Sequence, residues 1–227
     1  ELGCSIELEV EESGNLLDEL TAQTQDDPAA QLQLLGRRLN LESRFGKLQS
    51  VELGLAAADV IDRVDDPLVR TSFRNVVAHT AALSAHYDAA TTIALQMLDD
   101  AQTHRLKFAI PYARTLLGMC HAGKREFDPA ADEIVTAIGC AEENRDGYAA
   151  WNAKALLTRL RIAQGDPDRA VDEMSGEPIG VTPSMVMEVR ASRGLAEACC
   201  GRLDEALRRI DGPQGVTKAV EPVVLAV

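Results

Sequence analysis

Apolar residues recur at steps of three and four along most of this chain. Ala109, Ala113, Leu116, Leu117 and Cys120 fall on one face of a helix, and Phe127, Ala130, Ile134, Ala137, Ile138 and Ala141 fall on one face of a second. Between them, His121-Ala122-Gly123-Lys124-Arg125 reads as a tight turn with Gly123 as its left-handed cap. The spacing predicts two antiparallel helices over 107–142. A lone hairpin leaves a broad apolar side in water, so this unit requires neighbours of similar shape.

The chain supplies them. A shift of 40 carries Tyr87, Ala90, Ala94, Met97, Leu98 and Ala101 onto Phe127, Ala130, Ile134, Ala137, Ile138 and Ala141. Ala170 and Met174 continue the series, and a further shift of 36 reaches Ala206 and Ile210. The preceding helices obey the same period: Phe73, Ala113 and Ala153 correspond, as do Val76, Leu116 and Leu156, then Val77, Leu117 and Leu157. Self-similarity at this period predicts a helical solenoid. Repeats are expected at 66–105, 106–146, 147–182 and 183–213, within a single repeat domain whose first 65 residues are less regular. In that N-terminal part, helices are expected over 5–25, 28–45 and 48–64. Asp26-Asp27-Pro28 and Asp65-Asp66-Pro67 read as helix starts, with acidic caps and then Pro in the first turn. Gly176-Glu177-Pro178-Ile179-Gly180, followed by Pro183, should cut one second helix short. Asp211-Gly212-Pro213 should stop the last repeat, leaving a truncated further helix at 214–227.

The finer spacing resembles the tetratricopeptide repeat. Leu117-Gly118, Ala130 and Ile134 match its large–small pair, its helix B alanine and the large residue four later. Leu157-Thr158, Gly165, Ala170 and Met174 match in the next copy, and Gly194, Gly201, Ala206 and Ile210 in another. Val77-Ala78, Ala90 and Ala94 match in the first clear copy. A small residue there lets helix B's alanine touch helix A's backbone, whereas a large one would force the pair apart. The aromatic expected early in helix A is replaced by Arg74, Arg114, Lys154 and Arg190, and the period exceeds the usual one. The resemblance implies an all-α, right-handed superhelix of stacked helix pairs.

Composition narrows the chemistry. Aromatic residues are only 4% of a chain that is 46% hydrophobic, so the core must be built from Ala, Leu, Val and Ile. The net charge of −13 repels a phosphate backbone and argues against direct contact with nucleic acid or an anionic membrane. No run approaches a membrane span. Cys4, Cys120, Cys140, Cys199 and Cys200 are odd in number and read as reduced small hydrophobes, which points to the cytoplasm. The chain opens on Glu1, mid-pattern, and reads as a fragment of a longer polypeptide.

Gly118-Met119-Cys120-His121-Ala122-Gly123-Lys124-Arg125 has P-loop spacing, but Arg125 stands where magnesium needs Ser or Thr, and no strand precedes it. Cys120-His121 with Cys140 offers no metal-binding spacing, and the structural reading of these residues is preferred. His79, His86, His104 and His121 are scattered with no nucleophile or carboxylate at suggestive spacing. Asp99-Asp100 and Glu142-Glu143 read as solvated surface. No catalysis, cofactor or metal is assigned.

One constellation remains. Arg74, Arg114, Lys154 and Arg190 recur at equivalent repeat positions and should form a cationic ladder. It could hold an anionic ligand or an acidic peptide, although pairing with nearby carboxylates is the preferred reading. In the repeat's usual geometry helix A lines the concave side, so Asn75, His79, Tyr112, Thr115, Met119, Asn152, Arg159 and Glu188 should face inward as a mixed ligand- or partner-binding lining.

Across nearly the whole length, the long period and Ala-rich, aromatic-poor helices also resemble the superhelical sensor segment of large LuxR-family, STAND-type transcriptional regulators of the maltose-regulator type. That resemblance implies a module that receives a small-molecule effector or partner protein. It also implies ATP-binding and helix-turn-helix domains elsewhere in the same polypeptide. The alternative is a tetratricopeptide scaffold gripping an acidic or helical peptide of a partner.

Overall fold

The computed structural model describes residues 10–24, 26–44, 51–57, 61 and 63–210. Every regular element among them is a helix: α1 (Val10–Gln23), α2 (Pro28–Arg44), α3 (Val51–Ala56), α4 (Pro67–Leu83), α5 (Tyr87–Thr103), α6 (Ala109–Gly123), α7 (Phe127–Glu143), α8 (Gly147–Ala163), α9 (Pro167–Glu173), α10 (Pro183–Cys199) and α11 (Leu203–Ile210). The chain forms two compact units, 1–104 and 105–227.

The helix starts follow the acidic caps. Asp27 Oδ1 accepts from the backbone N–H of Ala29 and Ala30 at 3.0 and 3.1 Å, and Asp66 Oδ1 accepts from Leu68 N–H at 2.8 Å. The third expected helix stops short of residue 64. Residues 63–66 are non-helical because Asp66 must be extended (φ −71°, ψ 110°) to cap α4 and to precede Pro67. The expected helical residues 5–9, 25, 45, 48–50, 58–60, 62 and 214–227, and the stop at 211–213, lie outside the described residues.

In unit 1, α1 packs on α2, and α2 and α3 pack on α4, which pairs with α5. Its core gathers Leu32, Leu39, Ile61, Val69, Phe73 and Val77. In unit 2, α6 pairs with α7, α8 with α9 and α10 with α11, while α7 also packs on α8 and α9 on α10. Most residues related by the period are buried, but Tyr87, Leu98, Phe127 and Ile138 are half-buried, and Ile210, expected in the core of the last pair, is 53% exposed. Ala90, Ala94, Ala101, Ala130, Ile134, Ala137, Ala141, Ala170 and Met174 are all fully excluded from solvent.

Within each pair the crossing is as close as the small residues allow. A Cβ on Gly118 would lie 2.5 Å from Ile134 Cγ1 and 3.2 Å from the Ala130 carbonyl oxygen. On Gly194 it would lie 3.2 Å from Ile210 Cγ1 and 3.6 Å from the Ala206 carbonyl oxygen. Ala78 and Thr158 hold the same position in the other two pairs, each wholly buried.

The turns differ from expectation in one respect. Gly123 is the last residue of α6, and the left-handed residue is Arg125, at φ 62°. Glu126 N–H reaches back to the His121 carbonyl at 2.9 Å, and Arg125 N–H to that of Ala122 at 3.0 Å. This Schellman closure fixes the left-handed position two residues beyond the helix, whatever residue stands there. The six-residue closing bond recurs from His86 to Ala81, Asp146 to Ala141, Asp166 to Arg161 and Arg202 to Glu197. The left-handed residues of these five turns are Ala85, Arg125, Arg145, Gly165 and Gly201, so only two of five are glycine; Arg105 is also left-handed, at φ 57°. The P-loop-like stretch 118–125 is accordingly helix and turn, with Gly118 in the pair's crossing.

Two substitutions test these contacts. Arg125→Gly should raise the unfolding free energy by about 0.5–1 kcal/mol through relief of left-handed strain, measured by denaturant unfolding. Gly118→Ala should lower it by about 1–2 kcal/mol despite alanine's better helix propensity; an unchanged midpoint would refute the close crossing.

Candidate functional site

The first helices of the pairs in unit 2 lie side by side: α6 contacts α8, and α8 contacts α10. Polar side chains stitch this row. Tyr112 on α6 donates to Asp146 Oδ2 at 3.2 Å, while Asp146 Oδ1 caps α8 by accepting from Ala149 N–H at 2.9 Å. Burial and the neighbouring Asp146 carboxylate push the Tyr112 phenol well above its ordinary range. Arg159 on α8 pairs with Glu188 on α10, both side chains partly exposed. Asn152 and Met119 are half-buried on the same helices. Thr115 is different: it is buried, and its hydroxyl is used within α6, donating to the Pro111 carbonyl at 2.8 Å. In unit 1, Asn75 is half-buried and His79 exposed on α4.

The four cations of the ladder meet different surroundings. Arg74, in unit 1, is 7% exposed and pairs with Asp100. In unit 2, Arg114 donates to Glu133 at 2.8 Å, and Lys154 to Glu142 at 2.9 Å, with its ammonium 5.2 Å from the Trp151 ring centroid. Their heads are thus engaged by carboxylates of the second helix α7. Arg190 is half-buried, and no described carboxylate pairs with it.

Two acidic and histidine assignments change. Asp100 is not solvated surface. It accepts from Arg70 Nε and Nη2 at 3.1 Å each and pairs with Arg74, tying α4 to α5. Burial raises its pKa, but the Arg70 hydrogen bonds and the charges of Arg74 and Arg70 outweigh this and hold it below its ordinary value. Asp99, Glu142 and Glu143 are exposed. His121 does face a carboxylate, because the Schellman turn folds Glu126 back to 2.5 Å from its Nδ1. Among the described residues, no three His, Cys, Asp or Glu side chains gather as a metal site, and no helix is long and apolar enough to cross a membrane.

Sequence reasoning missed a cluster of four arginines. The loop after the short helix α9 (Gly176, Glu177, Pro178) faces Val189, Arg190 and Arg193 of α10 and Arg208 and Arg209 of α11 across a cavity of about 300 Å³. Beneath it Glu197 is 2% exposed and takes Arg209 Nε at 3.0 and 2.8 Å and Nη2 at 2.6 Å, with Arg193 Nε at 3.4 Å. The Arg209 hydrogen bonds overcome burial and hold Glu197 below its ordinary pKa of 4.5. The available signals were the Arg190-x-x-Arg193 spacing, the Arg208-Arg209 doublet and the break in the repeat that borders the space.

No family model and no curated protein matches the chain. Among solved structures it is similar to BtubC (BKLC) from P. vanneervenii, with a TM-score of 0.63 and 15% identity over 96% of this chain and 92% of that one. At that identity the likeness is one of fold.

Glu197→Gln should cost about 1–3 kcal/mol, because it leaves two partly covered guanidiniums without their counter-charge. A carboxylate with a lowered folded pKa contributes stability present above its unfolded value and lost as pH falls through the folded one. Wild-type stability should therefore fall faster than that of Glu197→Gln as pH drops below about 4.5; parallel acid limbs in thermal unfolding would refute the pair.

Proposed function

We propose that the chain is a non-catalytic binding module, the effector- or partner-sensing segment of a LuxR-family, STAND-type transcriptional regulator. The observation that carries the reading is the row of first helices in unit 2, stitched at its face by Tyr112–Asp146 and Arg159–Glu188. Such a row offers a continuous strip of half-buried polar and apolar side chains over an alanine core, which suits a ligand of mixed character better than a reaction centre. Ion pairs that bridge neighbouring pairs give a ligand a means to bias their spacing. It can shift the equilibrium by no more than its differential affinity for the two arrangements.

The scaffold alternative draws on the ladder. Because Arg114 and Lys154 already face carboxylates of α7, an acidic peptide would have to displace those pairs, which favours the sensor reading. The coding sequence on both sides separates the two. A nucleotide-binding module upstream and a helix-turn-helix downstream are expected; a protein of tetratricopeptide repeats alone would overturn the regulator assignment. In the intact regulator, Arg159→Glu, set against Glu188, should alter effector-dependent output of a promoter reporter at least severalfold with helix content unchanged. An unaltered response would remove this face from the mechanism.

A further inference from the structure

The repeat fails at one place, and that is where its cations converge. The second helices α5 and α7 span 17 residues each, but α9 ends after 7, and Gly176 (φ 97°), Pro178 and Gly180 (φ 73°) carry the chain away as a loop. This loop borders a cavity of about 300 Å³ walled by Gly176–Pro178, α10 and α11. Four guanidiniums line it, against the carboxylate of Glu177 and the buried one of Glu197. With Glu205 also acting on Arg209, the four arginines outnumber the three neighbouring carboxylates by one, in a chain whose net charge is −13.

The arginines divide into two kinds. Arg209 is fixed from below by three hydrogen bonds to Glu197, and Arg193 lies against the same carboxylate at 3.4 Å with its buried Nε making no hydrogen bond. Arg190 and Arg208 have no described carboxylate partner; the Arg208 Nε donates to the Asp204 carbonyl at 3.1 Å, leaving its terminal nitrogens available. A forked guanidinium suits two oxygens of one planar or tetrahedral anion, and several converging on one cavity select for more than one negative charge. We propose that this pocket binds a small, multiply charged oxyanion, the chemistry shared by a phosphoryl group and a dicarboxylate. Arg190 and Arg208 supply the contacts, and Arg193 and Arg209 form the floor. The inference stands apart from the regulator reading, since it depends only on residues 176–209 of unit 2.

The test is calorimetric titration of the whole chain at low salt with inorganic phosphate, pyrophosphate and succinate. Sodium chloride of equal ionic strength serves as the screening control. Saturable binding of at least one probe is expected, the phosphates and succinate distinguishing the two sources of the charge. Arg190→Gln and Arg208→Gln should each weaken it roughly tenfold, the loss of one charge-assisted contact. Neither variant touches the Glu197 pairs. Glu177→Gln, in an exposed loop, should act in the opposite direction and tighten binding severalfold by removing the pocket's own carboxylate. Binding that is absent for all three probes, matched by chloride, or indifferent to all three substitutions overturns the proposal.

Discussion

Everything in the fold follows from how closely two helices can approach where they cross. At Gly118 a single added carbon would collide with Ile134 and press on the Ala130 carbonyl, and Gly194 sits nearly as tightly on Ile210. Ala78 and Thr158 occupy the same point elsewhere, with no exposed surface. Such a crossing keeps the two members of a pair in van der Waals contact along their length and sets the angle at which the next pair must arrive. The near absence of aromatic residues is a result of the same geometry, since an interface of alanines has no room for rings.

Polar chemistry occupies what the crossings leave over. Asp100 collects Arg70 and Arg74, Glu133 and Glu142 engage Arg114 and Lys154, and Glu188 joins α10 to α8 through Arg159. These pairs lie between elements and not along one helix, so they report and fix inter-helix register. Partly screened pairs of this kind add modestly to stability and more to specificity of arrangement. The Arg193–Glu197–Arg209 cluster differs in having its carboxylate almost wholly enclosed.

Helix positions, pairing and the buried stripe were legible in the sequence because each rests on local periodicity that repeats. Ala130, Ile134, Ala170 and Met174 could be named as core from spacing alone, and all are fully buried. Gly123 misled because glycine prefers the left-handed cap without being required there; the closing hydrogen bonds decide the position, and they chose Arg125. Asp100 was misjudged because an acidic doublet near a helix end looks the same whether or not two arginines wait on the neighbouring helix. The cavity beside α9 was illegible for a deeper reason: it is bordered by the loop that replaces the end of a second helix, and Arg208 and Arg209 enter it from a different helix than Arg190 and Arg193.

The alanines at the helix crossings carry an evolutionary asymmetry. At Ala90, Ala130, Ala170 and Ala206, which correspond across the four pairs and are all buried, almost every available change enlarges the side chain. Drift at these sites is therefore confined to glycine, serine and alanine itself, while the outer faces vary freely. Descendants of this chain would be expected to diverge in almost every exposed letter and still share a lattice of small residues at the same intervals.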